Sequence, residues 1–287
     1  MKKTEAKPKK KQRPGRPPIP TYAKGYPKKK PAPAKPKEEK YAGLRGARDR
    51  FKSEDWMDDA EAMRTTGGLT RTSAMPGWSY SLPALKTCGV GSKLASIPNS
   101  PCAVCYATRN FYRMPNVVAA QQRRLEAVKV AESFGWEKWT RAIVQQIRAV
   151  SYATPESKFF RWHDSGDVIS WGHLLAIVEV ARRLPHVRFW LPTKEYALVR
   201  RLARECAELP ENLCVRVSMA LFDEAPPTQR FEGRFPWNSA ERTPGALAGT
   251  GSPCQKPVNK QKTGVAACGS CRACWSNEVE NVVLEEH

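Results

Sequence analysis

Three short apolar runs decide the fold: Lys158-Phe159-Phe160-Arg161-Trp162, Val187-Arg188-Phe189-Trp190-Leu191 and Leu213-Cys214-Val215-Arg216-Val217-Ser218. Aromatic and β-branched residues dominate each run, and this composition is typical of strands. The runs start 29 and 26 residues apart, which is the length of one strand–helix unit. We therefore predict parallel, neighbouring strands and an α/β fold, specifically a partial (β/α) barrel.

Helices are expected between and before these strands. Ser170 is a suitable N-cap for a helix that ends near Leu184, and a second helix is predicted over 195–206. Upstream, residues 117–134 and the apolar face of 139–150 predict two more helices. Residues 77–82 alternate aromatic and small side chains and predict a first strand.

Composition divides the chain into three parts. Residues 1–45 are rich in Lys and Pro and predict a disordered basic tail, since few of their side chains could enter a core. Residues 46–222 form the predicted (β/α) body, in which 46–76 and 89–99 show no clear element. Residues 223–287 predict an irregular cysteine-rich extension, with a short strand or helix near its end.

The formal net charge is +20, of which +12 belongs to the first forty residues. A polycationic arm gains affinity for nucleic acid by releasing counterions, so DNA is the expected partner, although a solubilising tail explains the same composition. No apolar stretch is long enough for a membrane span or a secretory signal. We therefore expect a cytoplasmic protein with no membrane partner.

Seven of the nine cysteines fall into two sets with matched gaps. In both sets a cysteine is followed by thirteen residues, a second cysteine, two residues and a third cysteine. In a reducing compartment such spacing favours metal ligands over disulfides. Three thiolates leave one metal position open, whereas four suit a closed zinc or iron–sulfur site. The predicted metal ligands are Cys88, Cys102 and Cys105 in the first set, and Cys254, Cys268, Cys271 and Cys274 in the second.

Functional groups in parallel α/β folds collect where strands end. This rule selects the residues after the three runs. We predict catalytic roles for Asp164, Asp167 and Lys194. We predict cofactor binding by His163, Ser165, Gly166 and Ser218. For any single residue of 163–167, an ordinary Asp- and Gly-containing turn leading into the helix at Ser170 is an equally good interpretation, whereas the group as a whole favours a functional role.

The two cysteine sets, together with Ser165-Gly166-Asp167, resemble the phage family named gene product 88 over roughly residues 75–280. They also resemble radical S-adenosylmethionine (AdoMet) enzymes. Those enzymes carry a three-cysteine cluster after the first strand of a partial barrel, often with an auxiliary cluster nearer the C-terminus. The spacing differs, being thirteen then two residues here rather than three then two. By this resemblance Ser165-Gly166-Asp167 corresponds to the stretch that holds the methionine amino group.

The resemblance implies [4Fe–4S] clusters, bound AdoMet and an electron donor. If a phage encodes the chain, the expected location is the host cytoplasm. Together with the basic charge, the resemblance predicts a phage enzyme that remodels a plain or modified base in DNA, for example an isomerase step in thymidine hypermodification. A non-catalytic nucleic-acid-binding protein stabilised by zinc or clusters is the alternative. In that case His163 could complete a Cys₃His zinc site with the first set.

Overall fold

The computed structural model describes residues 56–206, 208–224, 238–242 and 251–285. The predicted tail at 1–45 lies outside these ranges. Within them no helix is both long and apolar enough to cross a bilayer.

The strands of the described ranges belong to one sheet in which every neighbouring pair is parallel. In chain order they are β1 (Trp78–Tyr80), β2 (Phe159–Trp162), β3 (Arg188–Thr193), β4 (Leu213–Ser218), β5 (Asn238–Arg242), β6 (Ser252–Pro253) and β7 (Asn281–Glu285). Their order across the sheet is β1-β2-β3-β4-β5-β7-β6. The α/β class and the parallel pairing are confirmed, and closure into a partial barrel stays a prediction.

Seven α-helices accompany the sheet in the described part of the chain. They are α1 (Asp59–Thr66), α2 (Gly89–Leu94), α3 (Pro115–Phe134), α4 (Glu137–Ser151), α5 (Trp171–Arg183), α6 (Tyr196–Glu205) and α7 (Lys256–Thr263). Short 3₁₀ turns lie at Tyr106–Thr108, Asn110–Arg113, Pro155–Lys158 and Ala273–Trp275.

Helix α5 begins and ends where its sequence signals predict. The Ser170 hydroxyl accepts a hydrogen bond from the backbone N–H of His173 at 3.1 Å, so it caps one of the unpaired amides of the first turn. Arg183 is the last helical residue, and Pro185 two positions later cannot continue the helix. The return to β3 is therefore short, and α5 packs back onto the sheet.

One face of the sheet carries the main core. Phe160, Phe189 and Leu213 are aligned across β2, β3 and β4 and are all buried, as are their neighbours at alternate positions along each strand. This face packs against the apolar sides of the helices, among them Ile143 of α4 and Ile177 of α5. Burial of these side chains supplies the main driving force for folding, at about 25 cal/mol per Å² of apolar surface.

The opposite face of the sheet is covered by the cysteine-rich segment. Trp275 is buried there, its ring centroid 5.2 Å from that of Trp190, and its indole N–H donates to the carbonyl oxygen of Phe160 at 2.9 Å. The fully buried Arg216 guanidinium donates to the carbonyl oxygens of Ala273, Cys274, Ser276 and Val279 at 2.8–3.1 Å. These bonds hold residues 273–279 against β4.

Three segments predicted to lack regular structure contain it. Helix α1 lies inside 46–76, where the Asp58 carboxylate caps its first amides. Helix α2 lies inside 89–99, and β5, β6 and α7 lie inside the extension predicted as irregular. These elements are short and are set by caps and by pairing with distant strands, so the local hydrophobic pattern does not reveal them.

Replacing Arg216 with Lys should lower the free energy of unfolding by roughly 2–4 kcal/mol, because an ammonium cannot reproduce the planar fork that reaches these carbonyls. Urea denaturation followed by tryptophan fluorescence measures the loss. Arg182→Lys is the matched control, since the Arg182 side chain is 53% exposed and its change should stay within about 0.5 kcal/mol. Equal effects of the two substitutions would contradict this role of Arg216.

Acidification should destabilise the fold through His173. Burial lowers the pKa of His173 to about 3, whereas the unfolded chain binds the proton near pH 6.5. The stability contributed by this neutral ring is complete above pH 6.5 and falls as the pH drops toward 3, by up to about 1.4 kcal/mol per unit. His173→Phe should therefore flatten the dependence of unfolding free energy on pH between about 4 and 6. The less buried His186, changed to Phe, should flatten it much less.

Candidate active site

Asp164 joins strand β1 to the segment that follows Cys105, at the edge where β1 and β2 end. The Ser79 hydroxyl donates to one of its carboxylate oxygens, and the Tyr112 hydroxyl donates to the other at 2.9 Å. The Tyr106 hydroxyl donates to the backbone carbonyl oxygen of Asp164. Since Tyr106 directly follows Cys105, Asp164 connects the end of the first cysteine set to the sheet.

Asp167 makes the corresponding connection to β3 and to the residue before Cys88. Its carboxylate accepts from the Thr193 hydroxyl at 2.7 Å and from the Lys194 amide at 2.9 Å. Its own amide donates to the Thr87 hydroxyl at 3.3 Å. Burial raises the pKa of Asp167 to about 7, although the hydrogen bonds that it accepts oppose that rise. The carboxyl group can therefore hold or release a proton near neutral pH.

Ser165 and Gly166 pack against the loop that leads to Cys88. The Ser165 hydroxyl donates to the Leu82 carbonyl oxygen and accepts from the Gln121 amide, both at 2.7 Å. Gly166 has a φ of +76°, and a Cβ there would lie 2.5 Å from the Thr87 hydroxyl oxygen and 2.7 Å from the Leu82 Cβ. Because Gly166 has no side chain, residues 82–87 of the chain itself can pack closely against its backbone.

The first cysteine set is gathered around the start of α2. Cys88 is the residue before that helix, and the carboxylate of Glu195 accepts from the Val90 amide at 2.9 Å. A Cβ on Gly91 would lie 3.4 Å from the Cys102 sulfur and 3.9 Å from the Cys88 sulfur, so both sulfurs approach one point. Burial raises the pKa of Cys88 to about 12, and the charges of Asp167, Cys105 and Cys102 contribute to that rise.

The second set is gathered where the extension crosses the sheet. The Cys254 amide donates to the Val283 carbonyl oxygen of β7 at 2.8 Å, and the Cys268 amide donates to the Ala74 carbonyl oxygen at 2.9 Å. Burial raises the pKa of Cys274 to about 12, with Cys254 and Cys268 adding to the rise and Arg216 opposing it. All four sulfurs thus lie in one neighbourhood, because the charge of Cys271 also acts on the pKa of Cys268.

The donor atoms of both sets are cysteine sulfurs, which bind metal ions as thiolates. The nine cysteines, all within the described ranges, are thiols rather than disulfides. Burial raises the pKa of Cys88 and Cys274, and other sulfurs of each set add to the rise, so a bound cation would favour their thiolate forms. Over the same ranges, no three His, Cys, Asp or Glu side chains form a closed metal-ion geometry. The thiols of each set lie near one another, but within the described residues they do not surround a single metal position.

Arg161 lies between the two sets. Its guanidinium stacks over the Trp190 ring at 4.3 Å and donates to the Tyr106 hydroxyl at 3.3 Å. Its charge opposes the rise in pKa at both Cys268 and Cys274, because a nearby cation favours the thiolate. One arginine therefore contacts the residue next to the first set and acts on the second.

The other predicted site residues, His163, Lys194 and Ser218, are buried. The His163 ring is buried beside Trp162 and His173, with its centroid 5.3 Å from that of His173, and burial holds its pKa well below the ordinary value. Lys194 is buried, and its ammonium group donates to the Met219 carbonyl oxygen. The backbone carbonyl of Ser218 accepts from the Tyr196 hydroxyl at 2.9 Å. Neither ring nitrogen of His163 has a hydrogen-bond partner among the described residues, and its completion of a Cys₃His zinc site stays a prediction.

Sequence reasoning missed four residues of this edge: Ser79, Tyr106, Tyr112 and Arg161. Only Tyr106 carried a usable signal, since it adjoins Cys105. The hydroxyls of Ser79 and Tyr112 reach Asp164 across 85 and 52 residues of sequence, and no local pattern shows such pairings.

Gly166→Ala should disturb the approach to Cys88. Gly264 has a similar φ of +74°, but a Cβ there would meet no atom within 4 Å, so Gly264→Ala measures the backbone strain alone. That strain is about 1 kcal/mol. Gly166→Ala should cost roughly 3 kcal/mol in unfolding free energy, because contact with Leu82 and Thr87 adds to the strain. Equal losses in urea denaturation would show that the space at Gly166 is not restricted.

A comparison with protein-family models matches residues 51–277 to the family described as Gene product 88. Comparisons with curated proteins and with solved structures gave no match. The matched region includes Asp164, Asp167 and both cysteine sets. It also spans well over half of the sequence, so the chain belongs to the gene product 88 family, which suggests a bacteriophage origin.

Proposed function

We propose that the chain is a radical AdoMet enzyme with [4Fe–4S] clusters that remodels a base, plain or already modified, in phage DNA. An isomerase step in thymidine hypermodification is one reaction of this class. The main support is the location of Cys88, Cys102 and Cys105 beyond the end of the first strand of a sheet whose first five strands keep their chain order. Three thiolates at that position leave a metal coordination site for a second ligand.

When bound, the cluster and AdoMet would supply a carbon-centred radical, and the protein's task would be to position the substrate and exclude water. Cys88, Cys102 and Cys105 would hold the iron, and the four cysteines of the second set would hold an auxiliary cluster. Asp167 fits a proton-handling role, since its carboxyl titrates near neutrality beside Cys88. Asp164 fits a positioning role, since both of its carboxylate oxygens accept hydrogen bonds from hydroxyl groups.

The predicted roles of Lys194 in catalysis and of His163, Ser165, Gly166 and Ser218 in binding AdoMet remain part of this proposal. The loop 163–167 is anchored to β3 and to the residues between β1 and Cys88, so it would present a fixed backbone to a ligand. The proposal also needs an electron donor, because a cluster of this kind must be reduced before each cleavage of AdoMet.

A non-catalytic nucleic-acid-binding protein is the second candidate. It is favoured by the second cysteine set, whose four thiols suit tetrahedral zinc as well as a cluster, and which the buried Arg216 fixes against the sheet. In that case the first set would also be structural, and no AdoMet would be cleaved.

Metal analysis separates the two candidates. Protein purified anaerobically should be brown, with iron and acid-labile sulfide approaching about two four-iron clusters per chain. Changing Cys88, Cys102 and Cys105 together to Ala should remove about half of the iron and abolish reductive cleavage of AdoMet. Cys206→Ala is the matched control, because Cys206 belongs to neither set and its loss should leave the iron content unchanged.

Colourless protein with about stoichiometric zinc and no sulfide would refute the enzyme proposal. So would an electron paramagnetic resonance signal of the reduced protein that does not change when AdoMet is added. A change confined to the four-cysteine set would show that the first set is not the catalytic one.

A further inference from the structure

The segment 106–114, between Cys105 and α3, exposes aromatic and basic side chains side by side. Phe111 is 73% exposed, the highest value of any large apolar side chain in the described residues before α3, and Tyr106 and Met114 are also exposed. Arg109 and Arg113 stand two positions to either side of Phe111 and are exposed as well. We call residues 106–114 the aromatic–arginine segment.

This segment is held in place from beneath. The Tyr106 and Tyr112 hydroxyls both donate to Asp164, and their rings meet edge to face with centroids 5.6 Å apart. Its backbone forms two 3₁₀ turns that meet near Asn110, which turns the chain with a φ of +48°. Phe111 therefore protrudes from an anchored backbone, so little backbone entropy is lost when a ligand binds to its ring.

The charged residues near the segment in sequence are all basic. From Ala62 to Leu125 the sequence contains no Asp or Glu but eight Lys and Arg. Among the described residues, neither Arg109 nor Arg113 forms a salt bridge. A surface that combines a protruding ring with unneutralised guanidinium groups is complementary to a ligand with flat apolar faces and negative charges.

We propose that the aromatic–arginine segment is a platform for an unpaired nucleotide, in which the Phe111 ring stacks on a DNA base while Arg109 and Arg113 contact the adjoining phosphates. Every base offers a π-face, and that face is open to a protruding ring when the base is unpaired or has left the duplex. This deepens the proposed function and rests on it for the identity of the substrate. The base would be held beside the first cysteine set, since Tyr106 is the next residue after Cys105.

Single-stranded DNA binding by the full-length chain tests the platform. A fluorescein-labelled oligonucleotide is titrated with anaerobically purified protein at raised salt, which weakens the contribution expected from the basic tail. Phe111→Ala should raise the Kd roughly 5- to 100-fold, the range for the loss of one stacked base, whereas Phe111→Trp should bind at least as well as the native chain. The thermal midpoint of each variant should be unchanged, because residue 111 is mostly exposed.

Phe134→Ala is the matched control. Phe134 is 87% exposed at the far end of the 20-residue helix α3, about 30 Å away at about 1.5 Å per residue, and its loss should leave the Kd unchanged. Arg113→Gln should reduce the slope of log K against log salt by about 0.7, the value for one phosphate of a single strand. The exposed Arg141 of α4, changed to Gln, should leave the slope as it is.

Several results would overturn the platform. It fails if Phe111→Ala binds as tightly as Phe134→Ala, or if the substitution weakens duplex and single-stranded DNA equally. It also fails if Phe111→Ala instead dissociates a dimer seen by sedimentation, or abolishes binding of the protein to anionic vesicles. The assay requires neither AdoMet nor turnover. A chain without iron that still needs Phe111 for binding refutes only the enzyme proposal, whereas an AdoMet-cleaving enzyme indifferent to Phe111 refutes only the platform.

Discussion

The buried guanidinium of Arg216 is the interaction on which the two-sided sheet depends. The helices supply the core on one face, and the other face would expose Trp190 and Cys214 without a cover. Arg216 provides that cover by binding four carbonyl oxygens of residues 273–279. A buried charge is costly unless its donors are satisfied, so the arginine and the cysteine-rich segment require each other.

The candidate site is held together by anchors of the same kind. Asp164 and Asp167 belong to one loop, 163–167, and each fixes a different cysteine-bearing loop to the strand ends. Arg161, in the strand that leads into this loop, contacts Tyr106 on one side and influences Cys274 on the other. Arg161 thus lies between the two cysteine sets, touching the residue that follows the first set and favouring the thiolate form of the second.

The sequence predicted the parts of this fold that are governed by local pattern. Strands β2–β4 and helices α3–α6 were located within a few residues, because long apolar periodicities and caps such as Ser170 mark them. Helices α1 and α2 and most elements of the extension were missed, since α1 depends on one Asp58 cap and β5 and β6 on partners far along the chain. Where β7 lies, a strand or a helix was predicted without a choice between them. The grouping of cysteines could be foreseen from spacing. The hydroxyls that orient Asp164 could not, because they arrive from other strands and turns.

The separation between Arg216 and its carbonyl partners, 57 to 63 residues, also sets an order of events during synthesis. At about 5–20 residues per second, several seconds pass after Arg216 is made before residues 273–279 exist. Throughout that interval the second face of the sheet has no cover, and the guanidinium has none of its four carbonyl partners. The speed at which the ribosome makes the last quarter of the chain therefore determines how long Trp190 and Cys214 remain open to aggregation.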